Sequence, residues 1–357
     1  MAKSGKTSFR DTISDYAQIM GSIGARSFAP VYLLMGEESY FIDRICDTLA
    51  GQILNEAEKA FGQVTVYGKD TEAGAVVNLC RQMPMGSPYQ VVIVREAQQL
   101  RRIDQLALYT DKPLASTILI LCHKEKGLDK RTQLYKHIAG KGVVFESVRP
   151  RDYELTPWIT DFIKSRRLTI EPKAAAMLTD YLGSDISKIV NELDKLLTSL
   201  PAGTTGITAD HIEQNIGISK DFNNFELTKA ISEKNMAKAL LIADHFARNP
   251  KDNPLLVTIS ALFTHFQRIF ILNYQRWMAR HRGTPMPADP DLSRLLKLPN
   301  PFFLGEYKQA AALYPNKKVF TILGLLREYD LKSKGMNTGS AGDDDLLREL
   351  LLKIFML

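Results

Sequence analysis

Between residues 30 and 148 short apolar runs alternate with stretches of helical period. Val31-Tyr32-Leu33-Leu34, Val64-Thr65-Val66-Tyr67, Val91-Val92-Ile93-Val94, Ile118-Leu119-Ile120-Leu121 and Val143-Val144-Phe145 are short, continuously apolar and rich in β-branched residues, which predicts five strands buried on both faces. Periodic apolar positions between them predict helices over residues 39–58, 74–81, 103–109 and 132–138; in the first, Phe41, Ile42, Ile45, Leu49 and Ile53 fall on the inner side. Strands spaced by helices require right-handed crossovers, so a mostly parallel sheet with helices on both faces is expected. After Arg149-Pro150-Arg151 the strands stop. Helices are predicted over 156–165, 172–182, 185–200 and 208–214, each opened by a residue suited to an N-cap or first turn. From Asn223 onward the pattern stays helical, notably over 236–248 and 255–280, with breaks at Asn249-Pro250, 283–290, 299–301 and 335–345.

These shifts divide the chain into an N-terminal arm (1–28), an α/β domain (29–148), a small helical domain (149–220) and a larger helical domain (221–357). The fold class is α/β plus all-α. The arm carries one short amphipathic stretch and reads as a loosely attached segment or a single helix. A length of 357 residues accommodates this division, and 45% hydrophobic with 24% charged residues excludes disorder, collagen and coiled coil. The net charge of +6 resolves to +2, 0, −1 and +5 over the four segments, so the excess is mostly C-terminal. Cys46, Cys80 and Cys122 form no CxxC pair, which argues against a disulfide framework or a thiolate zinc site and suits the reducing cytoplasm. No run approaches the ~20 apolar residues of a membrane span, so no membrane partner is expected. The N-terminus likewise lacks the apolar core of a secretion signal.

A sheet of this kind presents a helix N-terminus after its first strand, where phosphate binds in nucleotide enzymes. A working P-loop needs GxxxxGK[ST] at that point. The chain reads Gly36-Glu37-Glu38-Ser39, without the lysine and with two carboxylates where triphosphate oxygens would sit. Gly5-Lys6-Thr7 spells the end of such a motif, but no strand precedes it. Val91 to Val94 runs into Arg95-Glu96 rather than an acidic pair for Mg²⁺. The six histidines show no HExxH spacing, no GxSxG elbow occurs, and Asp343-Asp344-Asp345 reads as the start of the last helix. No catalytic residue, metal or cofactor is expected.

With these residues assembled, the chain resembles the delta subunit family of the bacterial DNA polymerase III clamp loader. The resemblance rests on Val31 to Glu38 followed by Tyr40-Phe41-Ile42 in place of a P-loop, and on Met83-Pro84-Met85 leading into Gln90 to Arg95. It also rests on Tyr181 to Asp185 with Asn191 to Leu196, and on a helical last third from Phe225-Glu226-Leu227. It implies an ATPase-inactive AAA+ module, a helical lid domain and a C-terminal collar domain that joins the loader. The implied partners are the beta sliding clamp, the gamma/tau and delta prime subunits, and primed DNA. The implied activity is opening of the clamp without ATP hydrolysis, as a non-enzymatic subunit of the DNA-directed DNA polymerase holoenzyme associated with the replisome at the nucleoid. An active AAA+ or P-loop-like ATPase remodelling nucleic acid is the alternative.

The family's hydrophobic wedge maps onto Met83, Pro84, Met85 and Gly86, where Gly86 stands in place of a common bulky apolar residue. Two flexible, polarisable methionines around an extending proline suit a partner's pocket, and both could instead be core. In the last third, Arg268, Arg276, Arg280, Arg282, Arg294 and Lys297 accompany only two acids, Asp289 and Asp291, with Tyr274, Trp277, Phe302 and Phe303 close by. Arg276, Arg280, Arg282, Phe302 and Phe303 are therefore candidates for phosphate contact and base stacking, against a solvated helix face with core aromatics.

Overall fold

The computed structural model describes residues 7–201, 203–216, 222–298, 300–336 and 342–357. Gly5 and Lys6, the 220/221 domain boundary, Pro299 and residues 337–341 of the 335–345 break lie outside them. The chain divides into two compact units, Met1–Pro150 and Arg151–Leu357.

The first unit contains the five expected strands, β1 (Val31–Gly36), β2 (Gln63–Tyr67), β3 (Gln90–Arg95), β4 (Thr117–Lys124) and β5 (Val143–Ser147). They form one parallel sheet in the order β2-β3-β4-β1-β5. β1 lies between β4 and β5, with Leu33 opposite Leu121 on one side and Val144 on the other. Alternation divides its apolar residues between the two faces. Val31, Leu33 and Met35 join Val92, Val94, Leu119 and Leu121 in a core closed by α4 (Ala73–Cys80), the 107–110 turn α5 (Ala107–Thr110) and α6 (Gln133–Lys141). The opposite face is covered by α1 (Phe9–Gly24) and α2 (Ser39–Gln52).

Two expectations change in this unit. The arm is a packed helix: Phe9, Ile19 and Ile23 of α1 are buried, and the Val148 N–H donates to Thr12 Oγ1 at 3.1 Å, tying α1 to the chain after β5. The 39–58 helix is two helices, because Asn55 opens α3 (Glu56–Gly62) with a reciprocal capping box to Glu58.

In the second unit α7 (Asp152–Ser165), α8 (Pro172–Leu182), α9 (Ile186–Ser199) and α10 (Ala209–Ile216) come first, then α11 (Asn224–Ser232), α12 (Met236–Arg248), α13 (Leu255–Arg282), α14 (Asp289–Leu295), α15 (Leu304–Leu313), α16 (Asn316–Ser333) and α17 (Asp343–Met356). α7 starts four residues before the expected Thr156, because the Arg151 N–H donates to the Glu154 carboxylate at 2.8 Å. Strands also do not stop altogether: β6 (Thr169–Ile170) and β7 (Gly206–Ile207) pair in parallel, too short for any period to reveal. Ala176 of α8 shares a core with Leu227, Ile242, Phe266 and Leu326, and Lys173 of α8 reaches Glu226 of α11 at 2.7 Å. The residues read as two helical domains thus fall within one compact unit.

α13 corrects the expectation on apolar length, since its 28 residues are long and apolar enough to cross a membrane. Its apolarity has another use here. Ile259, Leu262, Phe266, Ile269 and Leu272 are buried in the core of this unit, chiefly against α15 and α16.

Candidate functional site

At the end of β1 the chain turns into α2 through Gly36, Glu37, Glu38 and Ser39. Gly36 has φ +125°, and a Cβ there would fall on the Ser147 carbonyl of β5. The glycine therefore serves strand packing. Glu38 is the N-cap of α2, buried to 5% exposure, and its carboxylate accepts the Tyr40 N–H at 3.1 Å. The position where a helix N-terminus would receive phosphate already holds an anion belonging to the chain. Glu37 is exposed beside it.

The neighbouring strand ends are filled in the same way. Arg95 at the end of β3 pairs with Asp47 of α2 at 2.6 Å, and Lys124 at the end of β4 pairs with Asp43 of α2 at 2.9 Å and Glu96 at 3.6 Å. Burial by itself would lower the Lys124 pKa, but the hydrogen bond and charge of Asp43 outweigh it and the ammonium is held more firmly. Ligands in open α/β sheets sit in the crevice beyond the carboxyl ends of the strands. In this chain that crevice carries its own balanced ions. The network escaped sequence reading because Asp43 and Asp47 look like the solvated side of a helix; their i,i+4 spacing on the helix following β1 was the available signal.

On the turn after α4, Met83 is 81% and Met85 78% exposed, with Pro84 partly covered between them. The core alternative for these methionines is thereby removed. Gly86 has φ +72° with open space around it, which accounts for glycine where the family pattern has a bulky residue: the backbone enters the left-handed region there. Tyr89 packs edge-on to Phe28, with ring centroids 6.4 Å apart.

The C-terminal candidates separate. No acid occurs between residues 253 and 288. Arg280 and Arg282 are exposed, and neither has a carboxylate partner among the described residues. Arg276 is half-buried and donates to the Lys308 carbonyl at 3.1 Å. Arg268 is structural, donating to the Leu296 and Lys297 carbonyls and the Tyr307 hydroxyl at 2.9–3.1 Å. Tyr274, Trp277 and His281 form a half-exposed ladder on α13, with ring separations of 6.2 and 5.1 Å and near-parallel planes. Phe302 is 68% exposed, while Phe303 is 3% exposed and packs on Phe225 at 5.0 Å, so Phe303 is core and unavailable for stacking.

A parallel α/β module of nucleotide-binding layout, with a carboxylate capping its phosphate turn and a predominantly helical unit after it, defines the class of protein. The family model described as DNA polymerase III, delta subunit, matches residues 32–148, the sheet domain. The DNA polymerase III subunit delta of Bacillus subtilis (strain 168) is 23% identical over 339 residues, 92% of each chain. The solved structure of the Bacillus subtilis DNA clamp loader delta protein superposes with a TM-score of 0.51 at 20% identity, covering 96% of this chain and 100% of that one. By these comparisons the chain is similar to the delta subunits of bacterial DNA polymerase III, the resemblance that the motifs around Gly36 and Met83, both within the matched residues 32–148, implied.

Proposed function

We propose that this protein binds the beta sliding clamp through the Met83-Pro84-Met85 turn and opens it for loading onto primed DNA, without hydrolysing ATP itself. Its collar, residues 221–357, joins it to the gamma/tau and delta prime subunits, and it works in the cytoplasm at the replisome. The observation that carries this reading is the exposure of both methionines on a tip held out by Gly86. An isolated chain gains nothing from leaving two large apolar side chains in water. Burying each in a partner pocket contributes roughly 1.5–3 kcal/mol, enough to dominate a small contact. The Glu38 carboxylate on the α2 N-terminus and the Arg95 and Lys124 ion pairs support a module that works without nucleotide.

The test is affinity for the cognate clamp by surface plasmon resonance. Met83→Ala with Met85→Ala is expected to weaken binding at least tenfold while leaving the circular dichroism spectrum unchanged. Unaltered affinity in that double variant overturns the assignment of the tip. ATP turnover by the purified chain, lost on substituting residues 36–39, overturns the ATP-independent reading.

A further inference from the structure

The tip that makes the proposed clamp contact is built of methionine, which carries chemistry that leucine or phenylalanine lacks. The thioether is flexible and apolar in its reduced form, and a hydroperoxide converts it to a sulfoxide, which is polar and chiral. Which sulfur atoms react follows from which are exposed.

The described sulfur atoms of the first unit divide clearly. Met35 is buried in the sheet core, where its Sδ accepts the Leu128 N–H at 3.2 Å, and Cys46, Cys80 and Cys122 are all buried. Met20 is half-buried on α1. Met83 and Met85 are 81% and 78% exposed, on a segment that belongs to no helix or strand, and only Pro84 separates them. Peroxide in solution therefore meets both thioethers of the tip before any other sulfur of this unit. The outcome is specific to the contact they make. A sulfoxide oxygen is hydrogen-bonded by water, and moving it into an apolar pocket without a donor forfeits that bond. Oxidation thus removes the same apolar burial that makes the reduced side chains adhere.

We propose that Met83 and Met85 form an oxidation site through which hydroperoxides switch clamp binding off and a methionine sulfoxide reductase restores it. At each residue the sulfur takes one oxygen atom from the hydroperoxide. The S–O bond forms as the O–O bond breaks, the sulfur is oxidised by two electrons, and the peroxide leaves as water or alcohol. In the return step the oxygen passes to the dithiol of the reductase, which becomes a disulfide and releases water. The inference rests on the clamp reading of the tip.

Its test treats the full-length chain with hydrogen peroxide, removes the oxidant by gel filtration, and measures affinity for the cognate clamp by surface plasmon resonance, each protein against its own untreated sample. Wild type is expected to lose at least tenfold in affinity, to show one added oxygen on each of Met83 and Met85 in peptide mass spectra, and to recover with the reductase. Met83→Leu with Met85→Leu, whatever its starting affinity, should change by less than about twofold on treatment, because leucine has no sulfur to oxidise. Met356→Leu, which removes another strongly exposed sulfur, should lose affinity as wild type does. Unchanged affinity of a chain oxidised at both tip residues, an equal loss in the leucine double variant, or a tip left unoxidised while Met356 is oxidised would each overturn the proposal, and failure of the reductase to restore binding would overturn its reversibility. A chain that binds no clamp before treatment overturns the clamp reading itself, and the switch with it.

Discussion

His265 lies in an apolar run between Phe263 and Phe266, and nothing in its immediate sequence distinguishes a ligand from a packed residue. Folding decides: it is enclosed against Phe266 and Tyr307, with Ser232 on its Nε2. Burial, assisted by the charge of Arg268, lowers its pKa from 6.5 to about 3. Below pH 6.5 the unfolded chain gains a proton there that the folded chain refuses, so its contribution to stability is present above 6.5 and is lost as pH falls toward 3. Asp180 acts with the opposite sign, since its raised carboxyl favours the folded state as pH falls below 6. The comparison is therefore made against His265→Gln, in urea titrations over a pH series. The wild-type advantage over that variant should shrink by about 2 kcal/mol between neutrality and pH ~5, at about 1.4 kcal/mol per pH unit. Phe302 and Phe303 teach the same lesson: adjacent and chemically identical, one is solvent-facing and one is core.

Among the elements, strands were the most legible: β1, β3 and β4 are the buried runs that no amphipathic helix would show, while the edge strands β2 and β5 are only partly buried, short of the expected burial on both faces. Helix boundaries were less so. The break between α2 and α3 was visible in Asn55 and Glu58, an Asn-x-x-Glu capping signature that the continuous apolar period obscured. The start of α7 was displaced because Pro157 resembles a first-turn proline, whereas it lies inside the helix after an opening turn capped at Arg151. The join of β1 to β5 makes a sharper demand than either strand alone. Gly36→Ala forces a side chain onto the Ser147 carbonyl at a φ that L-residues avoid, and should destabilise the first unit by at least about 2 kcal/mol. A lowered urea midpoint with an unchanged m-value would show it; an unchanged midpoint would mean that the β1–β5 contact yields easily.

At the scale of the whole molecule, the candidate binding surfaces are divided between the units. The exposed methionine tip lies in the neutral 29–148 segment of the first unit, and Arg280 and Arg282 lie in the 221–357 segment of the second, which carries +5. The two surfaces should therefore fail independently. Arg280→Ala with Arg282→Ala in the full chain should weaken binding to primed DNA several-fold and reduce its salt slope by about 2, with clamp affinity unchanged. Met83→Ala with Met85→Ala should do the reverse. Loss of both activities in either variant would count against separate surfaces.

By itself the sequence determined the five-stranded α/β module, the helical remainder and the departure of residues 36–39 from the P-loop pattern, because strand runs, helical periods and a missing lysine are local facts. Only the tertiary structure decided that Glu38 occupies the helix N-terminus it precedes and that Asp43 and Asp47 neutralise Lys124 and Arg95. It alone separated the exposed methionines and Phe302 from the buried Phe303. Each of these depends on residues distant in the chain competing for the same space and the same charge. Such competition is settled by packing, and periodicity carries no record of it.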